Sequence, residues 1–285
     1  MWRHVGLTER RISGREEKDN QRVPASMTIQ GTAFLWPSYW LLLSNGIHNR
    51  PHRHVAASVL IGLDGPINIQ IEGEWHLLDG AIVAPEIEQA LDSQGQRTLI
   101  IHLDPDEPLW QHFKCALNTG GHAPLSITAE NIADLEKCAE QQNIHQAEEW
   151  LEQLAQTVSH NNDDKASLDP RIAAVTQYLR THLPERLELA TLADMANLSG
   201  SRLTHLFKQQ TGVTLRRFLA HLKIQQALYR WQPGMQYAEL AALAGFYDQP
   251  HLVRTAREMF DAMPSVIGNP GALTVVRSDA LNPDP

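Results

Sequence analysis

The chain has 285 residues, of which 42% are hydrophobic and 20% charged, values of a globular protein with room for two domains of ordinary size. No apolar run reaches membrane-spanning length, and residues 1–26 lack the apolar core of a secretion signal. Cys115 and Cys138 have neither metal-type spacing nor the number of a disulfide framework, so a cytoplasmic protein without a cofactor is expected. A net charge of −9 argues against nucleic acid until it is divided along the chain. From Asp169 to Pro285 twelve Lys and Arg face ten Asp and Glu, a net of +2, while the remaining residues hold twelve against twenty-three, −11. The back half is therefore free of the charge objection.

Residues 1–26 are polar and without period, and are expected to form a disordered extension. Residues 27–126 read as strands: "SVLIGL", "INIQIEG", "EWHLL", "AIVAP" and "RTLIIHL" are short apolar or alternating runs divided by Asp-Gly, Gly and Pro. The pattern predicts a small antiparallel barrel or sandwich. Over 127–159 the period changes to that of two amphipathic helices. Ile132, Leu135 and Ala139 line one; Ala147, Trp150, Leu151, Leu154 and Val158 line the other. These helices either pack on their own barrel or form a seam with a second subunit, in which case Trp150, Leu151 and Leu154 are the anchors. A polar linker, "HNNDDKASLDP", covers 160–169, and everything over 170–268 reads as helix. Residues 269–285 are assigned to a tail.

Within this helical region a single unit occurs twice. Leu192, Ala193, Met195 and Ala196 correspond to Leu240, Ala241, Leu243 and Ala244 at a spacing of 48. After a break, Leu203, Phe207 and Gly212 correspond to Leu252, Ala256 and Asp261 at a spacing of 49. Gly245 is suited to end a helix in the left-handed conformation, Ser199 and Asp248 to cap the next one, and Pro250 is tolerated in its first turn. Each copy is thus helix, tight turn, helix, the second turn being one residue longer. The second helix of each copy carries Arg, His or Lys outward, as a helix that reads base edges in the major groove must.

The segments "LADMANLSGSRLTHLFKQQTGVT", "RFLAHLKIQQAL" and "LAALAGFYDQPHLVRTAREMF…MP" resemble the AraC/XylS transcription regulators over about Asp169 to Ile267. The resemblance implies two helix-turn-helix subdomains bridged by a long helix, reading successive major-groove segments of promoter DNA. It also implies a homodimer, contact with RNA polymerase, and activation more often than repression. By matching position, Ser201, Arg202, Thr204, His205 and Lys208 face DNA from the first copy, and Gln249, His251, Arg254 and Arg257 from the second. His205 and Arg254 are assigned to bases; Arg202, Lys208 and Arg257 to phosphates. Ala256 stands where an aromatic is usual in the family, Asp261 where glycine is, Leu215 where proline is, and Lys223 where arginine is.

In the front domain, "GIHNRPHRHVAASVLIGLDG" resembles the first cupin motif, in which two histidines and a glutamate bind a metal at a strand end. His52 and His54 match, but Ser58 occupies the glutamate position and Gln89 the position of the later histidine. Two of four ligands being absent, no metal is expected. AraC-like regulators commonly carry such a barrel as an effector domain, which makes His48, His52, His54, Trp36 and Trp40 the candidates for contact with a small molecule. The class expected is multidomain α and β: a cupin-like barrel, dimerisation-type helices, and an all-α double helix-turn-helix domain. The competing reading is a metal-dependent cupin enzyme with an accessory helical domain.

Overall fold

The computed structural model describes residues 30–159, 167–231, 234–261 and 273–281. The extension over 1–26 and most of the 160–169 linker lie outside these residues. The strands of the front domain are β1 (Gly31–Leu35), β2 (Tyr39–Ser44), β3 (His52–Arg53), β4 (Ala57–Gly62), β5 (Ile67–Ile71), β6 (Glu74–Leu78), β7 (Gly80–Val83), β8 (Glu88–Asp92), β9 (Thr98–Leu103) and β10 (His122–Pro124). A last strand, β11 (Leu273–Arg277), comes from beyond the helical domain. They form a seven-stranded sheet in the order β10-β7-β4-β9-β2-β1-β11 and a four-stranded sheet in the order β3-β8-β5-β6.

The near-continuous apolar runs of the large sheet follow from burial on both faces. Leu42, Leu60, Val83 and Ile100 point to the small sheet, where Ile67, Ile69 and Leu91 meet them. Their neighbours Leu41, Val59, Ile82, Leu99 and Ile101 point the other way, into a cluster built with helices. The small sheet is wetter. In β6, Trp75 and Leu77 are exposed. Glu72 and Gly73, both at positive φ, make the tight turn that joins β5 to β6.

Helices α1 (Pro108–Lys114), α2 (Ala129–Glu140) and α3 (Ile144–Ser159) cover the outer face of the large sheet. Thr128 and Asn131 form a reciprocal capping box at the start of α2, and the indole of Trp150 donates to the Asn131 carbonyl at 2.9 Å. Trp150, Leu151 and Leu154 are buried within the chain itself. The subunit-seam reading of these three residues is corrected: their apolar face already covers the sheet, so they offer no exposed anchors.

The helical domain comprises α4 (Pro170–His182), α5 (Leu189–Met195), α6 (Gly200–Thr211), α7 (Leu215–Arg230), α8 (Tyr237–Leu243) and α9 (Gln249–Phe260). Its core joins Leu192, Leu203, Phe207 and Phe218 to Leu240, Leu252, Ala256 and Met259. Val55, from the loop after β3, is a member of the same cluster, so the sheet domain inserts a side chain into the helical core.

Residues 269–285, read from sequence as a tail, contain β11, which pairs in parallel with β1 from Gly31↔Leu273 to Leu35↔Arg277. The helical domain is therefore bracketed in the chain by two pieces of one sheet. Five residues with two valines and a threonine suit a strand, but a run this short gives no period from which to infer one.

Candidate functional site

The two helix pairs, α5 with α6 and α8 with α9, are built by the same bonds, 48 residues apart at the end of the first helix and 49 at the start of the second. Asn197 and Gly245 both adopt positive φ after the first helix. Leu198 N donates to the Ala193 carbonyl at 2.9 Å and Phe246 N to the Ala241 carbonyl at 2.8 Å, so the first helix of each pair is closed by the same bond. Tyr247, 88% exposed, is the additional residue of the second turn. Ser199 then caps α6 through Arg202 N, and Asp248 caps α9 through His251 N at 2.7 Å.

All nine residues assigned to DNA by position are exposed. On α6, Arg202, His205 and Lys208 follow one another at a spacing of three; on α9, His251, Arg254 and Arg257 do the same, each 49 residues later. Each set forms a row along one helix face. Among the described residues none of the six enters an ion pair; Arg50, Arg97, Arg171, Arg180 and Arg217 do. Two members also serve their own helices. Thr204 returns its hydroxyl to the Ser201 carbonyl at 2.9 Å, and the His251 ring stands edge-on to Phe246 at 5.1 Å.

The departures from the family pattern each have a local account. Leu215 opens α7 as a buried residue behind the Thr214 cap. Lys223, buried between the two pairs, donates to the Glu185 and Gly245 carbonyls at 2.7 Å each, so its single ammonium joins the loop before α5 to the turn of the second pair. Burial lowers its pKa. Ala256 is buried at the position where, in the first pair, Phe207 meets Phe218 edge-on. Asp261 takes the left-handed conformation at φ 46°, as Gly212 does at φ 80°. Aspartate tolerates that region better than most residues. Its carboxylate receives the backbone N of Arg50 at 2.8 Å and the guanidinium Nη2 at 2.6 Å, joining the end of α9 to the sheet domain.

A larger polar centre between the domains has no sequence signal beyond an aspartate two residues after His102. Asp104 follows β9 and is 1% exposed. It accepts from His221 Nε2 at 2.7 Å and Gln225 Nε2 at 2.9 Å, both on α7, and from Arg180 Nη2 of α4 at 2.6 Å. Burial pushes its carboxyl up, but His221 and Arg180 together hold it below the ordinary value. Arg217, at the start of α7, adds bonds to Glu86 at 2.7 Å and Glu258 at 2.6 Å. Tyr229 donates to the Trp36 carbonyl at 2.8 Å.

Of the five effector candidates, three come together. His52 and His54 share a 2.7 Å contact between their Nε2 atoms, and the His54 ring lies 4.1 Å from that of His102. Trp40 packs against His102 as well, at 4.2 Å. Trp36 does not join them: it belongs to the helix-covered cluster and stacks on Tyr39 at 4.7 Å. His48 lies apart as well, exposed beside Asp92 at 3.6 Å. The expectation that Trp36 and His48 share this site is therefore corrected. Consecutive apolar strands direct alternate residues to opposite faces, which separates Trp36 from Trp40.

Ser58 and Gln89, the residues at the expected glutamate and later histidine positions, lie beside His102. Gln89 Nε2 donates to Ser58 Oγ at 2.6 Å, and His102 Nε2 lies 3.4 Å from the same oxygen. A serine and an amide here bond to one another. Among the described residues no group of three or more His, Cys, Asp or Glu is arranged to hold a metal ion. Burial lowers the pKa of His52 and, more strongly, those of His54 and His102.

Residues 192–269 match the family model described as a helix-turn-helix domain. The arabinose operon regulatory protein of Escherichia coli (strain K12) is 33% identical over 100 residues, which are 34% of each chain, so the chain spans about a third of that relative's length. The probable transcriptional regulator LumQ of Photobacterium leiognathi is 22% identical over 228 residues, 75% of this chain and 90% of that one. A crystal structure of unsaturated fatty acid bound ToxT from Vibrio cholerae covers 80% of this chain and 94% of its own, with a TM-score of 0.55 at 9% identity. That likeness is one of fold. The relatives are transcriptional regulators and not enzymes, and they lend nothing to the cupin-enzyme reading. Residues 192–269 are thus a helix-turn-helix domain of the AraC type, in a chain similar to bacterial transcriptional regulators.

Proposed function

We propose that the chain is a sequence-specific, DNA-binding transcriptional regulator, more an activator than a repressor, with two helix-turn-helix motifs over 170–268 and an effector-responsive, cupin-like domain over 27–126. The observation that carries the reading is the pair of exposed basic rows, Arg202–His205–Lys208 and His251–Arg254–Arg257, on helices with equivalent caps. Among the described residues no acidic side chain pairs with these six residues, which leaves them for phosphates and base edges. One bridging helix, α7, holds the rows in a fixed relation, suited to successive major grooves about one DNA turn, ~34 Å, apart.

RNA polymerase, a small-molecule effector and a second copy of the chain are the partners, and the cytoplasm is the compartment. Among the described residues no helix is long and apolar enough to cross a membrane. A homodimer has to use faces other than Trp150, Leu151 and Leu154, which the chain covers itself. Selection of bound sequences from a random duplex pool tests the central claim. Enrichment of two short conserved segments about one turn apart is expected. Recovery of no preferred sequence sinks it.

A further inference from the structure

Phe260, the last residue of α9, packs against the helical core and also reaches the sheet domain. Its ring lies nearly parallel to those of His102 and His221, at 6.1 Å from each with interplanar angles of 21° and 20°, and meets His54 edge-on at 5.4 Å. The three imidazoles come from the loop after β3, from β9 and from α7, so the ring occupies the meeting point of both domains. All three are more than nine-tenths buried, and the Nδ1 atom of each has no hydrogen-bond partner. A buried polar atom without a partner is costly, and three around one ring call for an explanation.

The hydrogen-bond pattern fixes what the His54 atom wants. His52 Nδ1 faces the Arg50 carbonyl at 2.7 Å and must carry the proton there, so in the neutral ring its Nε2 accepts. His54 Nε2, 2.7 Å away, is then the donor, which leaves His54 Nδ1 as a bare lone pair. The nearby Met259 carbonyl favours a protonated His54 ring but, being an acceptor, cannot satisfy that lone pair. His221 likewise donates through Nε2 to Asp104 at 2.7 Å, which leaves its Nδ1 as the ring atom without a partner. A lone pair is satisfied by a hydroxyl donor, which the hydrocarbon ring of Phe260 lacks. A negative ligand is disfavoured here, because Asp104 already places a carboxylate against His221.

We propose that this meeting point is a binding site for a small, neutral, hydroxylated aromatic ring, and that Phe260 occupies it in the ligand's absence. The ligand takes the stacking position of Phe260 and adds the hydroxyl donor that His54 lacks. Phe260 sits at a helix end, where few bonds hold it, and is displaced without unfolding α9. Because Phe260 belongs to a DNA-reading helix, its displacement reorients that helix; this consequence, unlike the site itself, rests on the regulator reading above.

Calorimetry on the full chain, with phenol as probe and toluene as the ring without a donor, tests the site. Phenol should bind the wild type, and bind Phe260→Ala about tenfold tighter because the internal competitor is gone. Toluene should bind either protein at least about fivefold more weakly than phenol, the worth of one hydrogen bond. Where Phe260→Ala does not fold, Phe260→Leu is held to the same criteria. Equal affinity for phenol and toluene reduces the site to a mutational void and overturns the proposal. So does equal affinity of wild type and variant for phenol, which places binding elsewhere, or an absence of phenol binding. The regulator reading is judged separately, by duplex selection without phenol. If phenol binds as described and no sequence is selected, the site stands and the regulator reading falls.

Discussion

Helix α6 ends on Gly212 and α9 on Asp261, in the same left-handed conformation and 49 residues apart. The first end uses a residue with no side chain. The second uses one whose carboxylate reaches Arg50 of the sheet domain, immediately after a phenylalanine packed among three histidines. The cores differ in the opposite sense: Phe207 meets Phe218 edge-on, with the Arg180 guanidinium 5.5 Å above the Phe218 ring, whereas the equivalent Ala256 brings no ring at all. The first pair is thus held mainly through its own interior, and the second more through its contacts with the other domain. One sequence unit, repeated, has been fitted to two surroundings.

The largest effect should come from the interior of the first pair. Phe207→Ala removes a fully buried ring and should cost about 3–5 kcal/mol in urea unfolding. Ala256→Phe at the matching position should cost about 1–3 kcal/mol, because Met259 and Phe246 already pack into the same core. Stabilisation by Ala256→Phe would break the comparison, since it would mean that the second pair holds an unfilled space for the ring it lacks.

Acid should divide the pairs next. His54 and His102 have pKa values held well below the ordinary 6.5 by burial. Below that value the unfolded chain takes up protons that the folded chain refuses, so their contribution to stability is full above about pH 6.5 and is lost as pH falls toward the folded values. Each histidine can contribute up to about 1.4 kcal/mol per pH unit in that window. The affected rings surround Phe260, so amide exchange in α9 should accelerate before that in α6. Equal acceleration in both helices would show that the cluster does not support the second pair in particular.

Much of this was legible in the sequence because it repeats or is local. The offset of 48 and then 49 residues, the caps Ser199 and Asp248, and the glycine turn at Gly245 are set by neighbours in the chain, and all are found where the pattern puts them. The apolar runs marked the strands, but which face each residue takes depends on partners elsewhere, and so Trp36 and Trp40 separate. Asp104 is a lone acid in sequence. It becomes a centre only when α4 and α7, 76 to 121 residues away, bring Arg180, His221 and Gln225 to it. The role of β11 was hidden for the same reason, since its partner β1 lies at the other end of the chain.

At the surface proposed to face DNA the pairs should behave alike, with a split within each row. Arg254→Ala should cost about 1–3 kcal/mol on the selected duplex and relax preference at one base position, because a guanidinium can bond both acceptors of a guanine. Lys208→Ala should weaken all duplexes alike and lower the salt slope by about one. Competition against a panel of single-base variants decides between the roles. Uniform weakening by Arg254→Ala makes it a phosphate clamp.

The smallest effect, and the most direct test of the difference between the helix ends, is Asp261→Gly, which gives α9 the ending of α6. Glycine relieves the left-handed strain at φ 46° but also frees the unfolded chain. It loses the pair with Arg50, whose side chain is 78% exposed, so the charge contribution is screened and small. The net change in stability should stay within about 1 kcal/mol, because these terms have opposite signs and similar size. Asp261→Asn isolates the charge, since it keeps a side chain suited to the conformation and an oxygen for Arg50 N. Both variants should raise amide exchange at the end of α9 and leave α6 unchanged. A loss of about 3 kcal/mol or more from Asp261→Asn would exceed what an exposed pair supplies. It would mean that the Arg50 contact, rather than the packing of Phe260, holds α9 to the sheet domain.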